Sequence, residues 1–411
     1  MKLSIKNIGK IESADIVLDG ITVICGENNT GKSTVGKVLF SYFNSMCDFE
    51  SKIREQKIDE IRRCILKYCK ITTSFPYLVD VKEDFEPILS LDANNISIKD
   101  IDLFVRNYPE VRDKKSLSQD IYSILIMSNE DLLSEYIFRY FMEIFNGQVR
   151  NENAGSRQKS IVKTIFKNGT NAINFLTSKC KLNQEVPVLH CAYYINNPFI
   201  VDYLNVPSRS RKSILSELDR NIINTIERAQ HEQFLNKMSG IFDAVENKDK
   251  LEEIKILLGH AYAGRTVQKN GLYFYNDGNS DIEFRNLSTG LKSFALIERL
   301  LESGKLKSKD VLILDEPEIH LHPEWQLVYA EIIVLLQKKF DLTILITTHS
   351  PYFLEAIDVY SKKHNRENIL NYYLAENAQN GCSSIEEVTG KLNLIYEKMY
   401  YPLKRLEEEE I

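Results

Sequence analysis

The chain has 411 residues, 43% hydrophobic and 27% charged, with a formal net charge of −6 at pH 7. That length supports about two or three domains with a substantial core, and the net acidity excludes a nucleic-acid-binding polycation while leaving room for a local basic patch. Met1-Lys2-Leu3-Ser4-Ile5 opens directly into strand-like alternation without a signal-peptide core, and no apolar run reaches membrane-spanning length, so a cytoplasmic protein with no membrane partner is expected.

Residues 2–24 read as two or three short strands, turned at Gly9-Lys10 and Asp19-Gly20. The last of them, Ile21-Thr22-Val23-Ile24-Cys25, is a β-branched run that suits a buried strand. Directly after it stands Gly26-Glu27-Asn28-Asn29-Thr30-Gly31-Lys32-Ser33-Thr34, which fits G-x-x-x-x-G-K-[ST]. In that motif backbone N–H groups and a lysine cradle nucleotide phosphates, and the serine hydroxyl faces Mg²⁺. Val35, Val38, Leu39, Tyr42 and Phe43 follow at the spacing of a buried helix face. Strand, glycine loop and helix together are the context the motif requires; a chance polar loop would lack it.

From about residue 44 to 182 glycine is nearly absent, and apolar residues such as Ile53, Ile58, Ile61 and Ile65 recur at helical spacing. This predicts a helical insertion without sustained heptads. Within it Arg150, Arg157, Lys159, Lys163, Lys167, Lys179 and Lys181 accumulate, with Glu152 the nearby acid. The stretch Arg150–Lys181 offers contacts to nucleic-acid phosphates or an acidic partner; the competing reading is a solvated loop and helix face.

Val186–Ile195 returns to strand chemistry and ends at Asn196-Asn197-Pro198. A second helical arm is expected over residues 208–259, carrying Ile214, Leu218, Ile222, Ile226, Met238, Ile241 and Phe242. Asn270-Gly271 between Thr266–Lys269 and Leu272–Tyr275 signals a β-hairpin.

Val311-Leu312-Ile313-Leu314-Asp315-Glu316 is an apolar strand ending in two carboxylates, the Walker B pattern. Asp315 is placed to hold Mg²⁺ opposite Ser33, and Glu316 to polarise an attacking water. A further strand, Leu342–Thr348, ends at His349, which can reach a γ-phosphate. Between these motifs, Leu287-Ser288-Thr289-Gly290 opens a helix; Ser288 suits an N-cap and Gly290 allows close backbone approach. A helix N-terminus of this kind is an anion site, here a candidate for a nucleotide held by a second subunit.

As a set these residues resemble the ABC-type ATPases, in particular the soluble branch of SMC-like and OLD-like proteins. Leu287-Ser288-Thr289-Gly290 looks like the signature motif, Asp315-Glu316-Pro317-Glu318-Ile319-His320-Leu321-His322-Pro323 like the Walker B and D-loop, and Thr348-His349-Ser350-Pro351 like the switch histidine. The signature departs from the transporter pattern at Thr289 and Leu291. The resemblance implies an α/β fold: a P-loop ABC-type ATPase head with a mixed sheet, a β-rich N-terminal lobe and helical insertions. The nucleotide domain would comprise residues 1–45, 186–205 and 260–411, the helical insertion residues 46–185 and the second arm residues 206–259.

The same resemblance implies ATP and Mg²⁺ as ligands, sandwiched between two heads. Gly26, Asn28, Asn29, Thr30, Gly31, Lys32, Ser33 and Thr34 would bind nucleotide, with Lys32 on the phosphates. Ser33 and Asp315 would hold the metal, Glu316 would act as base and His349 as γ-phosphate sensor. Ser288 and Gly290 would complete the partner's site. Compact OLD-like ATPases serve in antiphage systems such as Septu and PARIS, so the expected function is a dimerising or higher-oligomeric ATPase switch controlling a separate effector. The alternative is an SMC-like nucleic-acid clamp in repair or chromosome maintenance. No D-x-D follows Pro351, and no intrinsic nuclease activity is expected.

Overall fold

The computed structural model describes residues 1–69, 86–89, 96–108, 111–153, 158–211, 213–235, 252–259, 264–378 and 381–409. Arg157, Met238, Ile241 and Phe242 lie outside them. The chain divides into two compact units, Met1–Asn44 with Arg139–Ile411, and Ser45–Phe138.

The strands β1 (Lys2–Ile8), β2 (Ile11–Val17) and β3 (Ile21–Gly26) lead into α1 (Lys32–Met46). The helices α2 (Phe49–Tyr68), α3 (Glu86–Leu89), α4 (Ile98–Val105), α5 (Lys114–Leu125) and α6 (Asn129–Ile144) follow. Next come β4 (Ser160–Phe166), β5 (Gly169–Phe175), β6 (Cys180–Gln184) and β7 (Ala192–Ile195). Helices α7 (Ser208–Arg211), α8 (Glu217–Leu235) and α9 (252–259) precede the hairpin strands β8 (Arg265–Lys269), β9 (Leu272–Asn276) and β10 (Asp281–Glu283). The chain continues through α10 (Thr289–Glu302), β11 (Val311–Asp315), α11 (Pro323–Phe340), β12 (Thr343–Thr348) and α12 (Pro351–Lys363). It then runs through β13 (Leu370–Asn377), β14 (Ser383–Glu387) and α13 (Leu392–Glu409).

Eleven strands form one mixed sheet in the order β6-β5-β4-β1-β2-β14-β13-β3-β12-β11-β7, and β10-β9-β8 form a second, three-stranded sheet. From β13 to β7 the strands are parallel; from β2 to β6 they are antiparallel. The division follows composition. In β3, β11 and β12 nearly every residue is buried, the continuous apolar pattern of strands covered on both faces. In β1, β2 and β4, buried and solvent-facing residues alternate, as expected for a sheet with one open face. Asn270 and Gly271 take φ values of 53° and 78°, the left-handed pair that a two-residue hairpin demands.

Residues 160–184 correct the helical insertion expected over residues 46–185. They form three antiparallel strands that extend the sheet from β1. Ser160, Val162 and Thr164 are buried while Lys163 is exposed, a period of two that the preceding helical run obscures. The strand expected over Val186–Ile195 is also shorter, reduced to Ala192–Ile195.

Helix α1 holds the larger unit together by polar as well as apolar contacts. At Gly36 a Cβ would lie 2.8 Å from the Tyr194 ring and 3.0 Å from Ile313, so the missing side chain lets α1 lie directly on β7 and β11. The hydroxyl of Tyr42, on the same helix, bonds Thr164 of β4 and accepts from Asn171 of β5 at 2.9 Å. Asn44 pairs with the outer edge of β7: its Nδ2 donates to the Ala192 carbonyl at 2.7 Å and its Oδ1 accepts the Ala192 N–H at 3.0 Å. Such pairing satisfies an edge strand that the sheet leaves unpaired.

The unit Ser45–Phe138 is helical. Ile58, Ile61 and Ile65 of α2 share one buried cluster with Ile101 and Phe104 of α4 and Leu117 and Ile121 of α5. Asp113 caps α5 by accepting the Ser116 N–H at 3.0 Å. No helix among the described residues is long and apolar enough to cross a membrane.

Replacing Asn44 by Ala would leave the buried N–H and C=O of Ala192 without partners. At about 1–3 kcal/mol for each of the two orphaned groups, Asn44→Ala should cost roughly 2–6 kcal/mol, read as a fall in thermal melting temperature. An unchanged melting temperature would show that Asn44 does not seal the edge.

Candidate functional site

Strands β3, β12 and β11 lie side by side, with Cys25 paired to Thr348 and Thr347 paired to Asp315. The glycine loop, the Walker B acid and His349 therefore all leave the sheet at the same ends of neighbouring parallel strands. This is the edge at which open α/β sheets bind ligands.

The loop from Gly26 to Gly31 is shaped by its backbone. Gly31 has φ 85° and Asn29 φ 62°. At Gly26 a Cβ would stand 2.4 Å from the Ala375 carbonyl oxygen, so only glycine permits the turn off β3. Thr30, almost wholly buried, donates to the Glu27 carbonyl at 2.8 Å. The Lys32 ammonium donates to the carbonyls of Gly26 (2.9 Å) and Glu27 (2.8 Å) and lies 3.8 Å from Glu316 Oε1. Asn28 and Asn29 are exposed, and Lys10 of the β1–β2 turn donates to the Asn29 carbonyl at 2.5 Å. Thr34 continues α1, its N–H bonded to the Gly31 carbonyl at 3.0 Å.

Asp315 collects three hydroxyl donors. Ser33 donates to Oδ1 at 3.1 Å, Thr347 also bonds Oδ1, and Tyr194 donates to Oδ2 at 2.6 Å. Burial, reinforced by Asp315, pushes the Tyr194 phenol well above its usual pKa, so it remains a donor. Ser33 and Asp315 thus bring a hydroxyl and a carboxylate oxygen together, a donor pair suited to a hard cation such as Mg²⁺. Both predicted metal ligands fit that role.

Glu316 leaves β11 with φ 52°, a left-handed conformation costing on the order of 1 kcal/mol or more in a non-glycine residue. Two hydrogen bonds hold it: its N–H reaches the Thr347 carbonyl at 3.0 Å and the Thr347 hydroxyl at 3.2 Å. The turn places the Glu316 carboxylate between Lys32 and His349, whose Nδ1 lies 3.5 Å away. The residues expected to serve as base, phosphate-binding lysine and sensor histidine are gathered at one point.

Beneath them sits Glu318, 2% exposed. The Thr348 hydroxyl and the His349 N–H (3.3 Å) both bond its Oε1, and the Thr348 hydroxyl in turn accepts the Ser350 N–H at 3.0 Å. Ser350 also donates to Gln326 Oε1 at 3.2 Å, while Gln326 Nε2 donates to the Leu321 carbonyl at 3.1 Å. Burial is the leading cause that raises the Glu318 carboxyl above its ordinary pKa, opposed by the Thr348 hydroxyl. Glu318 thereby fixes the loop that carries His349.

Ser288 and Gly290 do not join this cluster. Ser288 caps α10, accepting the Leu291 N–H at 3.4 Å. With Thr289, His320, His322 and Trp325 it lines a separate open concavity, to which residues 26–34 contribute nothing. A Cβ on Gly290 would lie 2.7 Å from the Trp325 ring, so the glycine lets that ring pack under the start of α10. A second concavity is lined by Asn196, Asn197, Ser293, Asp315 and Glu316, and His320 borders both.

Tyr194, Thr347, Glu318 and Gln326 were not singled out as site residues from the sequence. Thr347 stood within a strand already identified, but its partner Asp315 becomes visible only from the β11–β12 register. Tyr194 reaches the site because β7 lies beside β11, a neighbour relation no local pattern records.

A family model described as an AAA ATPase domain matches residues 1–354. The chain is similar to the endonuclease GajA of Bacillus cereus (strain HuB5-5), 21% identical over 398 residues that cover 87% of this chain and 55% of that protein. It is also similar to the Septu protein PtuA of Bacillus thuringiensis, 34% identical over 91 residues that cover 19% of this chain and 22% of that one. The chain thus spans about half the length of the first relative and under a quarter of the second. Among solved structures, the SMC head domain from Thermotoga maritima is matched at 13% identity, with a TM-score of 0.40 and coverage of 94% of this chain and 98% of that one. A Pyrococcus furiosus Smc head domain with an extended coiled coil is matched at 12% identity, with a TM-score of 0.41 and coverage of 100% and 99%.

Two predictions follow from the polar network. Tyr194→Phe removes one donor that orients Asp315; outer-shell partners of this kind typically change metal affinity by about 10–100-fold. The Mg²⁺ concentration for half-maximal nucleotide turnover should therefore rise at least about tenfold, and an unchanged Mg²⁺ dependence would dismiss the role. For Glu318, folding raises the pKa, so the folded state holds the proton more tightly than the unfolded one. Its contribution to stability then falls as pH rises above the unfolded value of 4.5. Glu318→Gln should lessen the decline in melting temperature as pH rises above 4.5; parallel profiles for the two proteins would refute it.

Proposed function

The chain belongs to the AAA ATPase domain family, and from that premise we propose that it binds and hydrolyses ATP as a cytoplasmic, dimerising conformational switch. The switch controls a separate effector in bacterial antiphage defence. The observation that carries this reading is the split of the functional residues. Lys32, Ser33, Asp315, Glu316 and His349 converge at one strand edge, whereas Ser288 and Gly290 line an open concavity elsewhere on the same unit. A site that is complete only when a second copy presents its concavity links nucleotide occupancy to association.

In this mechanism the loop amides and Lys32 hold the phosphates, while Ser33 and Asp315 hold Mg²⁺. When bound, the metal supplies neutralisation of the phosphate charge. Glu316, turned out of its strand beside Lys32, accepts the proton of the attacking water. His349 reads the terminal phosphate from 3.5 Å away from that base. The partner's Ser288 hydroxyl and α10 amides close over the nucleotide from the other side, so each pair of heads shares two nucleotides, in a homodimer or a higher homo-oligomer.

The likeness to the Septu protein supports the defence setting, and the likeness to a protein named as an endonuclease supports a nuclease as the class of effector.

The test compares wild type with Glu316→Gln in ATP and Mg²⁺, by turnover and by size-exclusion mass. Loss of a general base typically costs about 100-fold or more, so the variant should lose turnover by that factor and elute as a stable larger species in ATP alone. A variant that keeps its turnover, or elutes identically with and without ATP, would sink the mechanism.

A further inference from the structure

Lys292 is a cation where a helix disfavours one. It closes the first turn of α10, its N–H making the helix's first backbone bond, to the Ser288 carbonyl at 3.1 Å. The dipole and free amides at that end attract anions and oppose a positive side chain, and the first turn carries no acid of its own. The Lys292 side chain is nonetheless only 3% exposed. A buried ammonium has to be paired and hydrogen-bonded, and here its partners come from outside the helix. Nζ donates to Asp202 Oδ2 at 2.7 Å and to the Arg285 carbonyl at 3.4 Å, and it stands 4.8 Å from the centroid of the Phe199 ring.

Asp202 and Phe199 belong to one short element, the 3₁₀ helix Pro198–Tyr203 that follows β7. That element is itself well anchored. The Asn197 side chain caps its start by accepting the Phe199 N–H at 2.9 Å, and Ile200 and Val201 are buried in the core shared with Phe294 and Leu296 of α10. The Phe199 ring also meets the His320 ring edge-on, with centroids 6.0 Å apart and planes at 76°. Ser288 and His320 line the same open concavity. They are therefore joined from behind: Ser288 to Lys292 through the backbone, Lys292 to Phe199 through the ammonium, and Phe199 to His320 through the rings.

We propose that Lys292 is a positioning residue: clamped by Asp202 and Phe199, it sets the direction of Ser288 and of the first α10 amides relative to His320, and so fits this concavity to the nucleotide of a second copy. The inference rests on the reading that two copies close over nucleotide, and it assigns the residues that hold the closing surface in shape. The use of an ion pair supports it. Where two segments need only be held together, apolar side chains of similar volume often serve as well, without the cost of drying two charges. An ammonium bonded to a carboxylate and set over a ring instead restricts direction, because both contacts weaken as the geometry departs from the best one. A surface that must meet phosphates needs that restriction, since functional groups have to be held within about 0.5 Å of their working positions by neighbours that are themselves locked.

The experiment uses the full chain and the double variant Lys292→Met with Asp202→Asn, which removes both charges and leaves neither buried alone. Two quantities are read: affinity for a fluorescent non-hydrolysable ATP analogue in dilute protein, and ATP turnover per chain as a function of protein concentration. A misplacement of about 1 Å remote from the chemistry can cost on the order of a hundredfold, so the protein concentration giving half-maximal turnover should rise by at least about tenfold. Analogue affinity should stay at the wild-type value, because the bonds that hold Lys32 do not involve the pair. Lys292→Met alone should do no less than the double variant, since the two residues act as one unit. The inference is overturned if the double variant keeps the wild-type concentration dependence, if analogue affinity falls along with it, or if the effects of Lys292→Met and Asp202→Asn multiply in the double variant. Failure of the underlying reading looks different: wild-type turnover per chain is then itself independent of protein concentration, and this inference falls with it.

Discussion

Everything at the nucleotide edge depends on the carboxylate of Asp315. Three hydroxyls converge on it from three separate elements: Ser33 from α1, Thr347 from β12 and Tyr194 from β7. Each donor fixes a neighbouring part. Through Ser33 the acid holds the start of the loop helix, through Thr347 it locks the strand that delivers His349, and through Tyr194 it ties the outermost strand of the parallel half. The same Thr347 also binds the backbone of Glu316, so the unfavourable turn at the base candidate is sustained by the group that orients Asp315. A charged group surrounded by donors in a partly buried place is held more tightly than by any single contact.

Much of this was legible in the sequence, for physical reasons. The glycine loop announces itself because only glycine tolerates the approach of Ala375 at Gly26 and the left-handed turn at Gly31. Buried parallel strands read as unbroken apolar runs, so β3, β11 and β12 could be named with the glycine loop, the two acids and His349 at their ends. Ser288 as a helix cap was also readable, since its hydroxyl has one neighbouring orphan amide to satisfy. These are local rules, and local rules survive without knowledge of the fold.

Features that depend on pairing between distant segments were not legible. Residues 160–184 carry their alternation in isolated short runs, and lysines at positions 159, 163 and 167 also fit one face of a helix. What decides between the two is the free edge of β1, which β4 completes. Tyr194 and Glu318 were missed for a related reason. A tyrosine in a strand and a second glutamate in an acidic segment gain meaning only from what lies across the sheet, where Asp315 and Thr348 wait.

The separation of Ser33 from Asp315 by 282 positions has a consequence for biosynthesis. The loop and its helix are made early, yet the acid that completes them leaves the ribosome only after most of the chain, including the residues of the helical unit. A non-local closure of this length is slow relative to local helix formation, and at roughly 5–20 residues per second of synthesis the loop waits many seconds for its acid. Nascent chains therefore present the loop with Ser33 but without Asp315, its acidic partner. Ligand binding stabilises only the species that has the site, so a nucleotide held by both Ser33's loop and the Asp315 strand would stabilise the finished protein and not the growing one.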